Sequence, residues 1–245
     1  MPRFFVQRGQ IEAGTVTLLG DDAHHISRSL RMAAGERITV CDMQKTEYEC
    51  ELTDFLPDRV LARVLSERPS DTEPPFHAHV FQALPKGEKL DSVIQKAVEC
   101  GASELTVFES ERCVARVKEA ADAKKTERRQ RIALEAAKQS GRGVIPPVHS
   151  AMRFPEAIKR AAEADLALFC YEGDGTVPLG EILRSCETLP KSVSIIIGSE
   201  GGFSEAEAAR AKEKGAIMTG LGKRILRTET ASGFVLACLV MISEL

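Results

Sequence analysis

The sequence predicts a small all-β barrel followed by a larger α/β domain with a mostly parallel sheet. Three observations carry this. Short β-like runs follow one another at close spacing up to about residue 67. A proline-rich stretch, RPSDTEPPF at 68–76, then breaks the pattern with no apolar periodicity, as a linker does. Beyond it, strand-like and helix-like segments alternate, which is the rhythm of βα units. The expected boundaries are therefore 1–70 for the barrel and 76–245 for the α/β domain.

In the first part the strand candidates are RFFV, TVTLL, RITVCD, EYECELTDFL and RVLARVLS, separated by turn residues. One helical patch, DDAHHISRSLRM, interrupts them, with Asp21 or Asp22 as its expected cap. In the second part AHVFQAL is the first strand. EKLDSVIQKAVECG is an amphipathic helix with Leu90, Val93, Ile94, Ala97 and Val98 on one face and Gly101 as its stop. ELTVF is a strand, and a long polar helix covers about 122–140. ADLALFCY (164–171), SVSIIIG (192–198) and AIMTGLG (216–222) are buried-strand candidates. Thr228–Ser243 is nearly all apolar, too short to span a membrane, and suits a helix buried in the core or against another subunit.

The composition narrows the function classes. The chain has 245 residues, 43% hydrophobic and 28% charged, ordinary for a globular protein able to bury about 70% of its unfolded surface. No apolar run approaches the ~20 residues of a membrane span, and the N-terminus does not read as a secretory signal. Seven cysteines, an odd number without a CxxC, argue for reduced thiols in the cytoplasm and against a disulfide frame or a zinc site. His24–His25 reads as structural and no metal is expected. Between Ser110 and Arg142 there are ten Lys/Arg against five Asp/Glu, a local +5 in a chain of formal charge −3. Such a stretch is either a phosphate footprint or a solvated helix face.

The chemistry concentrates near the C-terminus. In IIIGSEGGFSEAE (195–207) a β-branched run stops at Gly198, and Ser204 with Glu207 forms a capping box that opens a helix. The intervening glycine bend thus joins a strand end to a helix start, where ligands of α/β sheets bind. No Lys-Ser/Thr pair follows, so it is not a P-loop, and its late position does not suit a dinucleotide fingerprint. A second loop, GLGKRILRTET (220–230), repeats the strand–loop–helix arrangement with Arg224 and Arg227. Two such loops at adjacent strand ends would wall one pocket, and Leu221, Ile225 and Leu226 would give it an apolar floor suited to a flat base such as adenine.

Together GSEGGFSEAE, LGKRILRTETA, LPKGEKLDSVIQKAVECGASEL, ERCVAR, RRQRIALEAAKQSGR and HHISRSLRM resemble the RsmE-type 16S rRNA (uracil-N3)-methyltransferases of the SPOUT superfamily, over nearly the whole chain and in the same order. Two departures stand out: Ser199 and Lys223 replace the family's prolines. The resemblance implies a PUA-like RNA-binding barrel, a SPOUT domain with a C-terminal trefoil knot, and a homodimer. It also implies S-adenosylmethionine as cofactor and, as target, uridine 1498 of 16S rRNA in the small ribosomal subunit. Ribose 2′-O methylation by another SPOUT branch and non-enzymatic RNA binding are the alternatives.

By the same resemblance the cofactor is held by Phe169, Cys170, Ile197, Gly198, Gly202, Leu221, Gly222, Ile225, Leu226 and Thr228. Arg227 is the expected catalytic group, a permanent cation able to stabilise charge on the uracil, and Glu200 either accepts a proton or faces the cofactor's charge. Arg3, Arg28, Arg31, Arg112, Arg128 and Arg142 are the candidates for RNA phosphates.

Overall fold

In the first six strands, alternate residues are apolar and the chain turns them to one side. β1 (Arg3–Phe5), β2 (Ile11–Glu12), β3 (Thr15–Leu19), β4 (Arg37–Cys41), β5 (Thr46–Phe55) and β6 (Arg59–Pro69) form one curled sheet in the order β1-β4-β5-β6-β3-β2. The β1–β4 pair is parallel and the other pairs are antiparallel. Phe4, Val16, Leu18, Ile38, Val40, Cys50, Leu52, Val60 and Ala62 close the core with Ile26 from the helical patch. Register shifts in β5 at Glu49/Cys50 and Leu52/Asp54 bend the sheet, as bulges do. The computed structural model describes residues 1–117, 119–188 and 190–245. It separates into two compact units, Met1–Glu73 with Ala137–Ile145, and Pro74–Ala136 with Pro146–Leu245.

The helical patch differs in detail from expectation. α1 (Gly20–His24) has Leu19 at its N-cap, and Asp21 and Asp22 lie inside the first turn, where carboxylates favour the helix dipole. The patch continues as a π-helical turn over His25–Ser29. β6 also runs into the proline-rich stretch, through Arg68 and Pro69, and Ser70 N donates to Lys45 O at 2.8 Å.

In the second unit every strand pair is parallel, and the central strands are buried on both faces while the two edge strands are not. The elements are β7 (His77–Ala83), α2 (Lys89–Glu99), β8 (Glu104–Glu109), α3 (Glu119–Ser140), β9 (Val148–Arg153), α4 (Phe154–Ala161), β10 (Leu166–Cys170), β11 (Val177–Pro178), α5 (Leu179–Ser185), β12 (Ser192–Ile197), α6 (Glu205–Glu213), β13 (Ile217–Gly220) and α7 (Thr228–Ser243). The last turn of α3, from Ala137, counts with the first unit. The sheet order is β11-β13-β10-β12-β7-β8-β9. The α2 face foreseen from the sequence is buried at all five positions. α7 packs against α2 and β12 through Ala231, Val235, Leu236 and Leu239. All seven cysteines are free. Among the described residues no helix is long and apolar enough to cross a membrane.

Candidate active site at the ends of the parallel strands

β12 is a run of buried Val and Ile that ends at Gly198, and the bend there is built for glycine. A Cβ on Gly198 would stand 3.1 Å from Gly202 Cα and 3.2 Å from the Phe203 ring. Gly202 sits at φ +63, in the left-handed region, and its N–H donates to Ser199 O at 2.9 Å. The helix that follows starts as the sequence indicates: Glu207 N donates to Ser204 Oγ at 3.3 Å and Ser204 N to Glu207 Oε2 at 3.0 Å. Glu207 is buried and also accepts from Glu111 N at 2.8 Å, so one carboxylate anchors both the helix start and the segment after β8.

The second loop leaves β13 at Gly220, passes Gly222 at φ +105, and ends with Arg227 as the extended residue capping α7. The two loops are tied together. Thr228 Oγ1 donates to Gly198 O at 2.7 Å and accepts from Gln82 Nε2 at 2.8 Å, and Gln82 Nε2 also reaches Gly198 O at 3.3 Å. Gln82, at the end of β7 and 1% exposed, thereby holds the end of β12 and the start of α7 together.

These loops, with the segment after β10, enclose a cavity of about 760 Å³ at the C-terminal ends of β10, β12 and β13. Cys170, Ile197, Gly198, Glu200, Gly202, Leu221, Gly222, Ile225, Leu226, Arg227, Thr228 and Arg112 all line it. Leu221 and Leu226 are half-buried, whereas Ile225 is 81% exposed, so the apolar floor is narrower than expected. Desolvation pushes the Cys170 thiol up to about 12, which leaves it a neutral wall. Phe169 does not line the cavity. It is fully buried behind it, with its ring centroid 4.2 Å from that of Phe203. Sequence reasoning missed Lys89, Tyr171, Glu172, Gly173 and Thr176, which complete the walls. The last four follow β10, and their position beyond a strand end was the available signal. The lining holds five basic side chains (Lys89, Arg112, Lys223, Arg224, Arg227) and three acidic ones (Glu172, Glu200, Glu229).

Arg227 is exposed into this space, and among the described residues it has no ion-pair partner, Glu229 included. Glu200, in contrast, is paired. Its carboxylate accepts from Lys89 Nζ at 2.7 Å and from Lys86 N at 3.2 Å. Burial alone would raise its pKa, but those hydrogen bonds and the Lys89 charge outweigh it and hold the carboxyl below the usual range. A carboxylate so satisfied is a poor proton acceptor and a good anchor.

The arginines chosen for RNA divide into two groups. Arg3 is mostly buried, donating to Glu47 Oε1 at 2.7 Å, Cys41 Sγ at 2.9 Å and Arg142 O at 3.2 Å. Arg142 is 3% exposed and ion-paired with Glu73. Both are internal clasps of the first unit and do not face outward. Arg28 and Arg31 are exposed, Arg31 at φ +52. Arg128 is exposed and pairs with Asp91, and Arg112 donates to Gly201 O at 3.2 Å. Of the other basic residues in 110–142, Arg116, Lys124, Lys125 and Arg131 are exposed and Lys118 lies outside the described residues.

The chain carries the two domains of an RNA methyltransferase. An RNA methyltransferase domain model matches residues 72–240, and an RNA methyltransferase PUA domain model matches 18–65. Ribosomal RNA small subunit methyltransferase E of Bacillus subtilis (strain 168) is 36% identical over 253 residues, covering 100% of this chain and 98% of that protein. The protein of the same name from Synechocystis sp. is 33% identical over 96% of this chain and 76% of its own length. The crystal structure of ribosomal RNA small subunit methyltransferase E from Neisseria gonorrhoeae, bound to S-adenosyl methionine, superposes with a TM-score of 0.86 at 30% identity, over 99% of this chain and 98% of that one. The chain belongs to the ribosomal RNA small subunit methyltransferase E family.

Proposed function

We propose that this protein transfers a methyl group from S-adenosylmethionine to N3 of uridine 1498 in 16S rRNA of the small ribosomal subunit. The observation that carries the reading is the joining of two glycine loops, thirty residues apart, by the Thr228–Gly198 hydrogen bond around one cavity. The cavity suits the cofactor. It offers backbone groups at Gly198, Gly202, Leu221 and Gly222, apolar sides at Leu221 and Leu226, and Glu229 Oε2, a buried carboxylate oxygen with no donor among the described residues. S-adenosylmethionine, an aromatic base with ribose hydroxyls, an ammonium and a sulfonium, supplies the activated methyl group and fits these donors and acceptors.

The protein's part is positioning and charge. Ile197, Gly198, Gly202, Leu221, Gly222, Ile225, Leu226 and Cys170 would hold the cofactor, with Thr228 fixing the loops and Phe169 supporting the wall from behind. Arg227 stabilises the negative charge that the uracil oxygens carry in the N3-deprotonated base. Glu200 positions the glycine loop through Lys86 and Lys89. Arg28 and Arg31 on the PUA unit (1–70), and Arg112 and Arg128 on the methyltransferase domain (76–245), meet RNA phosphates.

The chain after β13 is threaded as a trefoil knot. Support comes from the sheet order, in which β13 lies beyond β10 while α7 returns to β12 and α2. The protein is cytoplasmic and pairs with a second copy through α7, where Phe234, Met241 and Ile242 are 38%, 58% and 44% exposed.

The test is labelled methyl transfer to purified small subunits followed by nucleoside analysis, with calorimetric titration of S-adenosylmethionine alongside. 3-Methyluridine is the expected product. 2′-O-methyluridine would move the protein to the ribose-methylating branch, and absence of cofactor binding would leave an RNA-binding protein.

A further inference from the structure

Strand alternation places a second constellation at the opposite end of the parallel sheet. His77 and His79 stand two apart at the start of β7 and share a face. In register, His79 lies beside Glu104, the first residue of β8, and Thr106 lies beside His149 on β9. Four nitrogen groups therefore converge on one carboxylate. Glu104 Oε1 is 3.3 Å from His79 Nδ1 and 3.5 Å from His77 Nε2, while Oε2 is 2.5 Å from His149 Nε2 and 3.0 Å from Arg160 Nη2 of α4.

We propose that His79, Glu104 and His149, with His77 beside them, form a binding site for a divalent transition-metal ion of the zinc class. Donor atoms of these three residues all lie within 4.8 Å of one another. Ligands at ~2.0–2.1 Å around a tetrahedral ion stand about 3.3 Å apart, so the widest pair need close by no more than about 1.5 Å, shared between two side chains, to bring the set onto one ion. Two imidazoles and a carboxylate, with a third imidazole in reach, are the nitrogen-rich donors that zinc selects over magnesium or calcium. The outer contacts are those of a held ligand. His79 Nε2 is 2.7 Å from Thr106 Oγ1, which is fully buried, and the imidazole stacks on Phe81 at 3.8 Å. A hydrogen bond from the distal ring nitrogen fixes the orientation of a metal-ligating histidine.

Arg160 is the opposing feature, since it claims Oε2 and carries a like charge. It is 40% exposed on the last turn of α4, so its long side chain can withdraw into water. The sequence alone gave no sign of this site, because its residues come from three strands and no spacing motif links them. It does not depend on the methyl-transfer reading. An ion here would join β7, β8 and β9 at their starting ends, away from the cofactor cavity at the ends of β10, β12 and β13.

The full-length protein, freed of metal by a chelator that is then removed, should be titrated with Zn²⁺ by calorimetry and with Co²⁺ by visible absorption. One ion per chain is expected, with a Co²⁺ spectrum of nitrogen and oxygen ligation. Glu104→Gln and His149→Ala should each weaken binding at least tenfold, and Arg160→Ala should tighten it a few-fold. If Glu104→Gln fails to fold, His149→Ala, whose ring is 31% exposed, gives the same reading. No saturable binding, equal affinity in wild type and variants, or a sulfur-ligated Co²⁺ spectrum from the cysteines would overturn the proposal.

Discussion

The two ends of the parallel sheet use the same backbone for opposite purposes. At the C-terminal ends of β10, β12 and β13 the chain sheds side chains: glycines at 198, 202 and 222 leave the main chain to make the surface, and the principal contact between loops is a hydroxyl on a carbonyl. At the N-terminal ends of β7, β8 and β9 it gathers them, with three histidines and an arginine on Glu104. One end is a cavity walled largely by main chain, and the other is a cluster of polar side chains. The lesson is that a strand end becomes a binding surface by subtraction of side chains as readily as by their addition.

The strongest way to test the first end is to remove the charge of Arg227. Arg227→Ala should lower turnover on small subunits by ~10²–10³, the scale of one preorganised donor, while cofactor affinity stays within a few-fold. Arg227→Lys should restore only part, because an ammonium cannot reproduce the planar fork. Equal loss of melting temperature, affinity and rate in the alanine variant would make the residue structural.

Next comes subtraction itself. Gly198→Ala would force a methyl group within 3.1 Å of Gly202 Cα, against backbone that cannot swing aside. S-adenosylmethionine affinity should fall at least tenfold on the order expected for a displaced cradle, and calorimetry would show unchanged affinity if the loop is only a turn.

Thr228→Val keeps the shape and removes the shared hydroxyl. The Gly198 carbonyl and the Gln82 amide then lose a partner, a cost of about 1–3 kcal/mol, visible as a lower melting temperature and a weaker cofactor site together. Thr228→Ser should recover most of both, and a serine variant as poor as valine would place the effect in packing.

Glu200 should matter less, as a half-solvated anchor. Its folded carboxyl is held below its unfolded value, so its contribution is present above the unfolded value near 4.5 and is lost as pH falls through the folded one. Cofactor affinity should decline on that acidic limb in the wild type, and Glu200→Gln should be weaker by a few-fold at neutral pH with a flatter limb.

The smallest effect belongs to the opposite end. Asp165 accepts from Ser192 N and Oγ at 2.9 Å, at the starts of β10 and β12. Asp165→Asn should leave S-adenosylmethionine affinity unchanged, and a measurable drop would show that the two ends are coupled through the strands.

Much of this was legible locally. The face of α2, the capping box at Ser204 and both glycine loops follow from residues close in sequence, where propensity and capping act. What was not legible depended on distant partners. Arg3 meets Glu47 forty-four residues on, and Arg142 meets Glu73, so basic residues that looked solvated are internal clasps. Phe169 ends a strand as foreseen, but Phe203 takes the ring that the cofactor would have met. α4 left a readable trace, with buried Phe154, Ala157, Ile158 and Ala161 at helical spacing and proline in its first turn, yet eight residues are too few for periodicity to stand out. β9, VHSAMR, has no apolar run at all and is a strand because β8 presents it with an edge.

The hydroxyl of Thr228 also links the end of the chain to the middle of the sheet. It holds the first turn of the final helix on the carbonyl that ends β12, and that carbonyl and that turn both belong to the wall of the cavity. Fraying of the final helix would therefore open the cavity locally, and a ligand held there would in turn pin the helix.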